Sequence, residues 1–262
     1  VTISPTKSTA GSSSTPKAYP KPDVEDRNGY RTVGYYGNWV ITLSSHPTLA
    51  RPNIFITQDI YARKFFPSRI PATKLTHVLY SFADNTADGT ITFSDPYADT
   101  DIHFASDSWS DKGNNVYGAM KQLGLLKQQN RNLKVMLSIG GWTYTNEKKH
   151  LDPVGESDTA TKKFAASCVD MIKNYGFDGI DVDWEYPQDE EQGKQFLALL
   201  RAIRAALDAY AKSLAKDKTY AKEAQPHFLL SIAAPAGAEN YGNLPLKDVA
   251  DELDFINLMV RI

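Results

Sequence analysis

The chain has 262 residues, of which 29 are Lys or Arg and 31 are Asp or Glu, giving a formal charge of -2 with no basic stretch. That balance excludes electrostatic capture of nucleic acid or of an anionic membrane surface, and an uncharged substrate suits it better. A single cysteine, Cys168, excludes an intrachain disulfide, and no apolar run approaches the roughly 20 residues of a membrane-spanning helix.

The first 29 residues are rich in Ser, Thr, Pro and Lys, with almost no apolar content between Ser8 and Pro22. Too little apolar surface is available there to offset the entropy of ordering, so residues 1–29 read as a disordered tail or linker. The chain opens on Val1, which reads as a mature or fragment end and is compatible with a removed signal peptide. From Tyr30 onward, short β-branched runs alternate with helical patterns, the signature of βαβ units. Six strands are predicted at Arg31–Tyr36, Leu75–Phe82, Leu133–Ile139, Gly179–Trp184, Phe228–Ala233 and Phe255–Met259. Most are nearly all apolar, as parallel strands covered by helices should be. Between them, Val116, Met120, Leu123 and Leu126 recur at helical spacing, as do Phe164, Cys168, Ile172 and Tyr175, with Asp158 as N-cap and Gly176 as stop. Phe196, Leu199, Leu200, Ile203, Leu207 and Tyr210 form a third stripe. This order predicts an α/β fold, a (β/α)8 TIM barrel of which about six of the eight units are present over residues 30–262.

The chemistry concentrates between Phe177 and Pro187. Alternation along a strand points Asp181, Asp183 and Glu185 to one face and Ile180, Val182 and Trp184 to the other. Three carboxyls on one face of a buried strand cannot all ionise cheaply, so at least one should hold a proton near neutral pH, which is how a general acid is made. Spacing alone leaves an acidic surface loop or a divalent-cation site open. The flanking apolar residues and the strand-end position favour catalysis, because barrel enzymes place chemistry at the C-terminal ends of strands. The histidines at 46, 77, 103, 150 and 227 are scattered without ligand spacing, so no metal or other cofactor is expected. Tyr35, Trp39, Phe82 and Trp142 lie near predicted strand ends and are candidates for an aromatic binding floor. Trp142 leads this set because Gly140 and Gly141 free the backbone to turn just before it.

Five segments in order resemble the family 18 glycoside hydrolases, and within them the fungal chitinases. They are Leu79 to Ala83, Met136 to Thr143, Asp178 to Pro187, Ser231 to Gly237 and Ile256 to Met259. The resemblance implies that Glu185 protonates the glycosidic oxygen, that Asp183 orients and charge-stabilises the 2-acetamido group, and that Asp181 shares a proton with Asp183. It implies a retaining, substrate-assisted reaction in which the acetamido oxygen is the nucleophile. Met259 and Tyr186 join the substrate-binding set on the same ground, while Ser138, Gly140, Gly141 and Asp178 belong to the structural motif. A cis peptide is expected at Ser81-Phe82. The implied partners are chitin or chito-oligosaccharides, acted on by a monomer outside the cell or in its wall. Two other readings within the superfamily are a chitin-binding lectin, which usually lacks an acid at the Glu185 position, and an endo-β-N-acetylglucosaminidase acting on N-linked glycans.

The pattern departs from that family twice. Residues 40–58 form an insertion between Trp39 and the Ile60-Tyr61 pair, and the chain closes on Val260-Arg261-Ile262 where the family continues with Ala-Tyr-Asp. Val-Ile and Val-Arg-Ile can be encoded by codons beginning with GT, and Gln58 by CAG, so both departures read as retained introns, which the transcript sequence would test. A barrel ending there is expected to be unstable and silent, because open strand edges expose unpaired backbone groups.

Overall fold

The computed structural model describes residues 30–38, 56–57, 65–216 and 226–260. The predicted tail over 1–29, Trp39 and the predicted insertion except Ile56 and Thr57 lie outside the described residues. The strands are β1 (Val33–Gly37), β2 (Ile56–Thr57), β3 (His77–Asn85), β4 (Ile91–Phe93), β5 (Lys134–Gly140), β6 (Gly179–Asp183), β7 (Leu229–Pro235) and β8 (Phe255–Met259). The six expected strands are present within a few residues of their predicted bounds, and the sequence pattern did not announce β2 and β4. All pair in parallel in the order β2-β1-β3-β5-β6-β7-β8, except that β4 folds back antiparallel on β3. The result is a curled, parallel half-barrel, an incomplete form of the (β/α)8 architecture.

The helices are α1 (Gly118–Gln129), α2 (Asp152–Gly155), α3 (Asp158–Tyr175), α4 (Glu190–Lys216), α5 (Ala238–Tyr241) and α6 (Leu246–Glu252). α3 shows how sequence fixes an element. Phe164, Cys168 and Ile172 bury one stripe, and Gly176 ends the helix in the left-handed conformation at φ 72°. Its N-cap is Ser157 rather than the expected Asp158. The Ser157 hydroxyl oxygen accepts from the Ala160 N–H at 3.3 Å, which leaves Asp158 as the first helical residue, where its charge suits the helix dipole.

Parallel pairing splits the sheet into two faces of different character. Outward residues such as Tyr36, Tyr80, Leu137, Ile139, Ile180, Val182, Trp184 and Ile232 join Phe164, Phe196, Leu199, Leu200 and Ile203 of the helices in one core. Each such fully buried side chain contributes about 1.5–3 kcal/mol. Ile256 and Leu258, outward on β8, are 41% and 63% exposed, so among the described residues the helix layer does not cover that strand. The inward face carries a small apolar plug of Leu79, Met136 and Leu229 with Val33, Tyr35 and Phe255 packed around it. Beyond the plug, toward the C-terminal ends, the inward residues turn small and polar. Ser138, Asp181 and Ser231 lie side by side in one register row, and Gly140 and Asp183 in the next along β5 and β6.

Candidate active site

Asp181 and Asp183 are both buried on the inward face, and Glu185 is half-buried in a bend two residues past the end of β6. The alternation of a single strand therefore delivers two carboxyls into the barrel and the third to its rim. Asp181 is saturated. Its Oδ2 accepts from the Tyr35 hydroxyl at 3.0 Å and the Ser138 hydroxyl at 2.7 Å. Its Oδ1 accepts from the Ser231 hydroxyl at 2.6 Å and from Asn257 Nδ2 at 3.1 Å. Burial raises its pKa and the four donors pull it back, with a net upward shift. The Tyr35 phenol is pushed well above its ordinary pKa, first by burial and then by the charges of Asp181 and Asp183, so it stays a donor.

Asp183 is the opposite case. Among the described residues its Oδ1 is buried without a hydrogen-bond partner. Burial first, then the charges of Glu185 and Asp181, drive its pKa well above the usual carboxylate range. Of the two buried carboxyls, Asp183 is thus pushed harder toward the neutral form than Asp181. The hydrogen bonds of Asp181 run to Tyr35, Ser138, Ser231 and Asn257, and none of them runs to Asp183.

Glu185 is fixed through its backbone. Its N–H donates to Thr145 Oγ1 at 2.9 Å, and that hydroxyl lies 2.9 Å from the Gly141 carbonyl it donates to. The Gly141 N–H in turn donates to the Asp183 carbonyl at 2.8 Å. The close approach of the two chains explains the glycines. Gly140 has φ 110°, and a Cβ there would sit 2.3 Å from the Asp183 carbonyl oxygen. Gly141 has φ 85°, and a Cβ there would sit 2.6 Å from the Phe82 ring. Gly140→Ala is expected to destabilise the fold by about 2–4 kcal/mol, combining left-handed backbone cost with overpacking. Gly176→Ala, where among the described residues no atom beyond the adjoining chain lies within 4 Å of the added Cβ, should incur the backbone cost alone. Urea midpoints of the two variants check the difference.

The aromatics line the same end. The Tyr35 and Phe82 ring centroids are 6.5 Å apart. Trp142 is 46% exposed and meets Tyr186 edge-on at 6.4 Å. Ser81-Phe82 is cis, as expected, and so is Glu185-Tyr186. Met259 is half-buried at the end of β8, and its carbonyl accepts from the Ala236 N–H at 3.1 Å. Asp178 lies at the other end of the sheet, where its Oδ2 accepts from the Val135 N–H and pairs with Lys127, both at 2.7 Å. Sequence reading missed Thr145, Asn257 and Ser231 as carboxylate-positioning groups, since none differs locally from an ordinary strand or loop residue. It also passed over Trp109, which is 84% exposed and stacks on His103 at 3.9 Å in the connection between β4 and α1. No group of three or more metal-ligating side chains occurs among the described residues.

The family model described as glycosyl hydrolases family 18 matches residues 31–260. "Chitinase 1" of Aphanocladium album is 52% identical over 238 residues, covering 90% of this chain and 49% of the relative. The chain spans about half the length of the curated relatives it matches. Among solved structures, the catalytic domain of psychrophilic chitinase B from Arthrobacter superposes with a TM-score of 0.68 at 26% identity, over 88% of this chain and 58% of that one. Human YKL-39, described as a pseudo-chitinase with retained chitooligosaccharide binding properties, superposes with a TM-score of 0.61 at 26% identity, over 88% of this chain and 50% of that one.

Proposed function

The chain belongs to family 18 of the glycosyl hydrolases, and from that premise we propose that the protein is a chitinase that cleaves β-1,4 linkages between N-acetylglucosamine units. The observation that carries the reading is the pairing of a saturated carboxyl, Asp181, with a buried carboxyl, Asp183, whose Oδ1 has no partner among the described residues. A site so arranged holds an acceptor in reserve for a polar group of the substrate. In this reading the amide N–H of the 2-acetamido group donates to Asp183, which aligns the acetamido carbonyl oxygen with the anomeric carbon. That bond favours the anionic form of Asp183, so the proton that burial holds on Asp183 passes through solvent to Glu185, which as a carboxylic acid gives it to the glycosidic oxygen. The bond from C1 to that oxygen breaks while the acetamido oxygen bonds to C1, and the positive oxazolinium is stabilised by ionised Asp183. Glu185, now a carboxylate, takes a proton from water as that water opens the ring at C1. Charge and protons balance without a protein nucleophile.

Trp142, Tyr186, Phe82 and Tyr35 supply the flat faces on which sugar rings stack. Trp109, in the connection between β4 and α1, offers a further exposed ring. In this reading the protein acts on its insoluble substrate outside the cell or in its wall, as a monomer. Among the described residues no helix is long and apolar enough to cross a membrane. Incubating the full-length protein with chitotetraose and with colloidal chitin, and separating the products by chromatography, tests the reading. Release of shorter oligosaccharides is expected. Binding without release would assign it to the lectin-like class, and release of N-linked glycans with chitin untouched would assign it to the endoglycosidases.

A further inference from the structure

We propose that Asp99 is a positioning residue for the substrate floor, clamping the C-terminal end of β1 and the middle of β3 to the turn at Asp95–Asp101. The proposal rests on the chitinase reading above. Asp99 is fully buried. Its Oδ1 accepts from both Asn38 Nδ2 and the Tyr80 hydroxyl, and its Oδ2 accepts from the Asp95 N–H at 3.0 Å. Asn38 directly follows β1, and Tyr80 lies within β3, so one carboxyl spans three segments far apart in sequence.

The clamp leads to the site through short links. The Asn38 N–H donates to the Ser81 carbonyl at 3.0 Å, and the Ser81 hydroxyl donates to the Tyr36 carbonyl at 3.2 Å. Ser81 is joined to Phe82, whose ring lies against Gly141 and beside Tyr35, the residue that donates to Asp181. Shifting Asn38 or Tyr80 therefore moves Phe82, the ring packed beside Tyr35 and Gly141. The groups facing the carboxyl are Tyr36 of β1, Tyr80 of β3, Asp95 of the same turn and Tyr144 of the loop after β5. Burial pushes the Asp99 pKa up to about 6, the three donors holding it below where burial alone would put it. Near neutral pH the group is an anion that can accept from all three donors. An amide cannot, because Asn at this position must turn an NH2 toward either the Asn38 and Tyr80 donors or the Asp95 N–H.

The test uses the full-length protein. Asp99→Asn, and separately Tyr80→Phe, are assayed for kcat and KM on chitotetraose and, in a Glu185→Gln background, for chitotetraose Kd by tryptophan fluorescence. The expected result is a rise in KM and Kd of about tenfold for Asp99→Asn and a smaller rise for Tyr80→Phe, with kcat within about threefold of the parent. Asn38→Ala should behave like Tyr80→Phe and keeps the test open where Asp99→Asn does not fold. Variants that lose thermal stability while KM and Kd stay at parental values would overturn the proposal, because the carboxyl would then be structural only. Failure of the chitinase reading is distinct: the parent itself would neither bind nor cleave chitotetraose, and the proposal would fall with it.

Discussion

Replacing Glu185 with Gln in the full-length protein is expected to lower turnover of chitotetraose by about 10²–10⁴-fold, the usual worth of a positioned general acid, while leaving binding within a few-fold. The amide keeps the shape of the acid and removes the proton. The half-buried side chain sits in a bend whose backbone is tied to Thr145, so the substitution leaves the hydrogen bond between the Glu185 N–H and Thr145 in place. Loss should therefore fall on kcat rather than KM. Steady-state kinetics on a defined oligosaccharide, with binding measured separately, checks both halves. A Gln variant with near-parental kcat would place the proton donor elsewhere.

Asp183→Asn should lower kcat by about 10²–10³-fold, the scale seen when one group that stabilises transition-state charge is removed, and should at the same time stabilise the protein. The sign follows from the raised pKa. In acid, folded and unfolded chains both carry the proton. As pH rises past the ordinary carboxylate range, the unfolded chain releases it while the native state retains it, so stability falls with rising pH until the raised native pKa is passed. Asn cannot ionise and removes that fall. Relief of about 1 kcal/mol in a buried polar group corresponds to a rise in Tm of roughly 2–4 °C. The gain should be present at pH 7 and shrink toward pH 4. Thermal melts of both proteins at the two pH values check it, and a variant less stable than its parent at pH 7 would show that Asp183 has a stabilising partner.

The two effects point in opposite directions because the site is costly to the fold. The sequence made this partly legible. Strand alternation was enough to put Asp181 and Asp183 on one face and Ile180, Val182 and Trp184 on the other, and the apolar runs located the parallel strands most clearly where, as in β3, β5, β6 and β7, both sides are buried. The division of labour between the two aspartates was not legible. It depends on Tyr35, Ser138, Ser231 and Asn257, which lie on four other strands and converge only when the sheet curls. Tyr35 shows the limit clearly. From its place at a strand end it reads as a sugar-stacking ring, and in the fold its hydroxyl also supports Asp181 across 146 residues of sequence. Asp99 was hidden for a similar reason. It sits in a connection rich in Asp and Ser, where one acid among several reads as solvated, and only its tertiary contacts with Asn38 and Tyr80 set it apart. The Asp158 cap was displaced by one residue because Ser157 and Asp158 are both good caps, and local pattern does not choose between neighbours.

The central claim is that the substrate's acetamido oxygen, held by Asp183, takes the place of a protein nucleophile while Glu185 supplies the proton. Proton NMR of the reducing ends freshly released from chitotetraose by the full-length protein tests it most directly. The account predicts that the β-anomer appears first and mutarotates slowly toward the equilibrium mixture, since attack and water capture occur on opposite faces in turn. Initial release of the α-anomer would mean direct inversion by water, and would contradict the account.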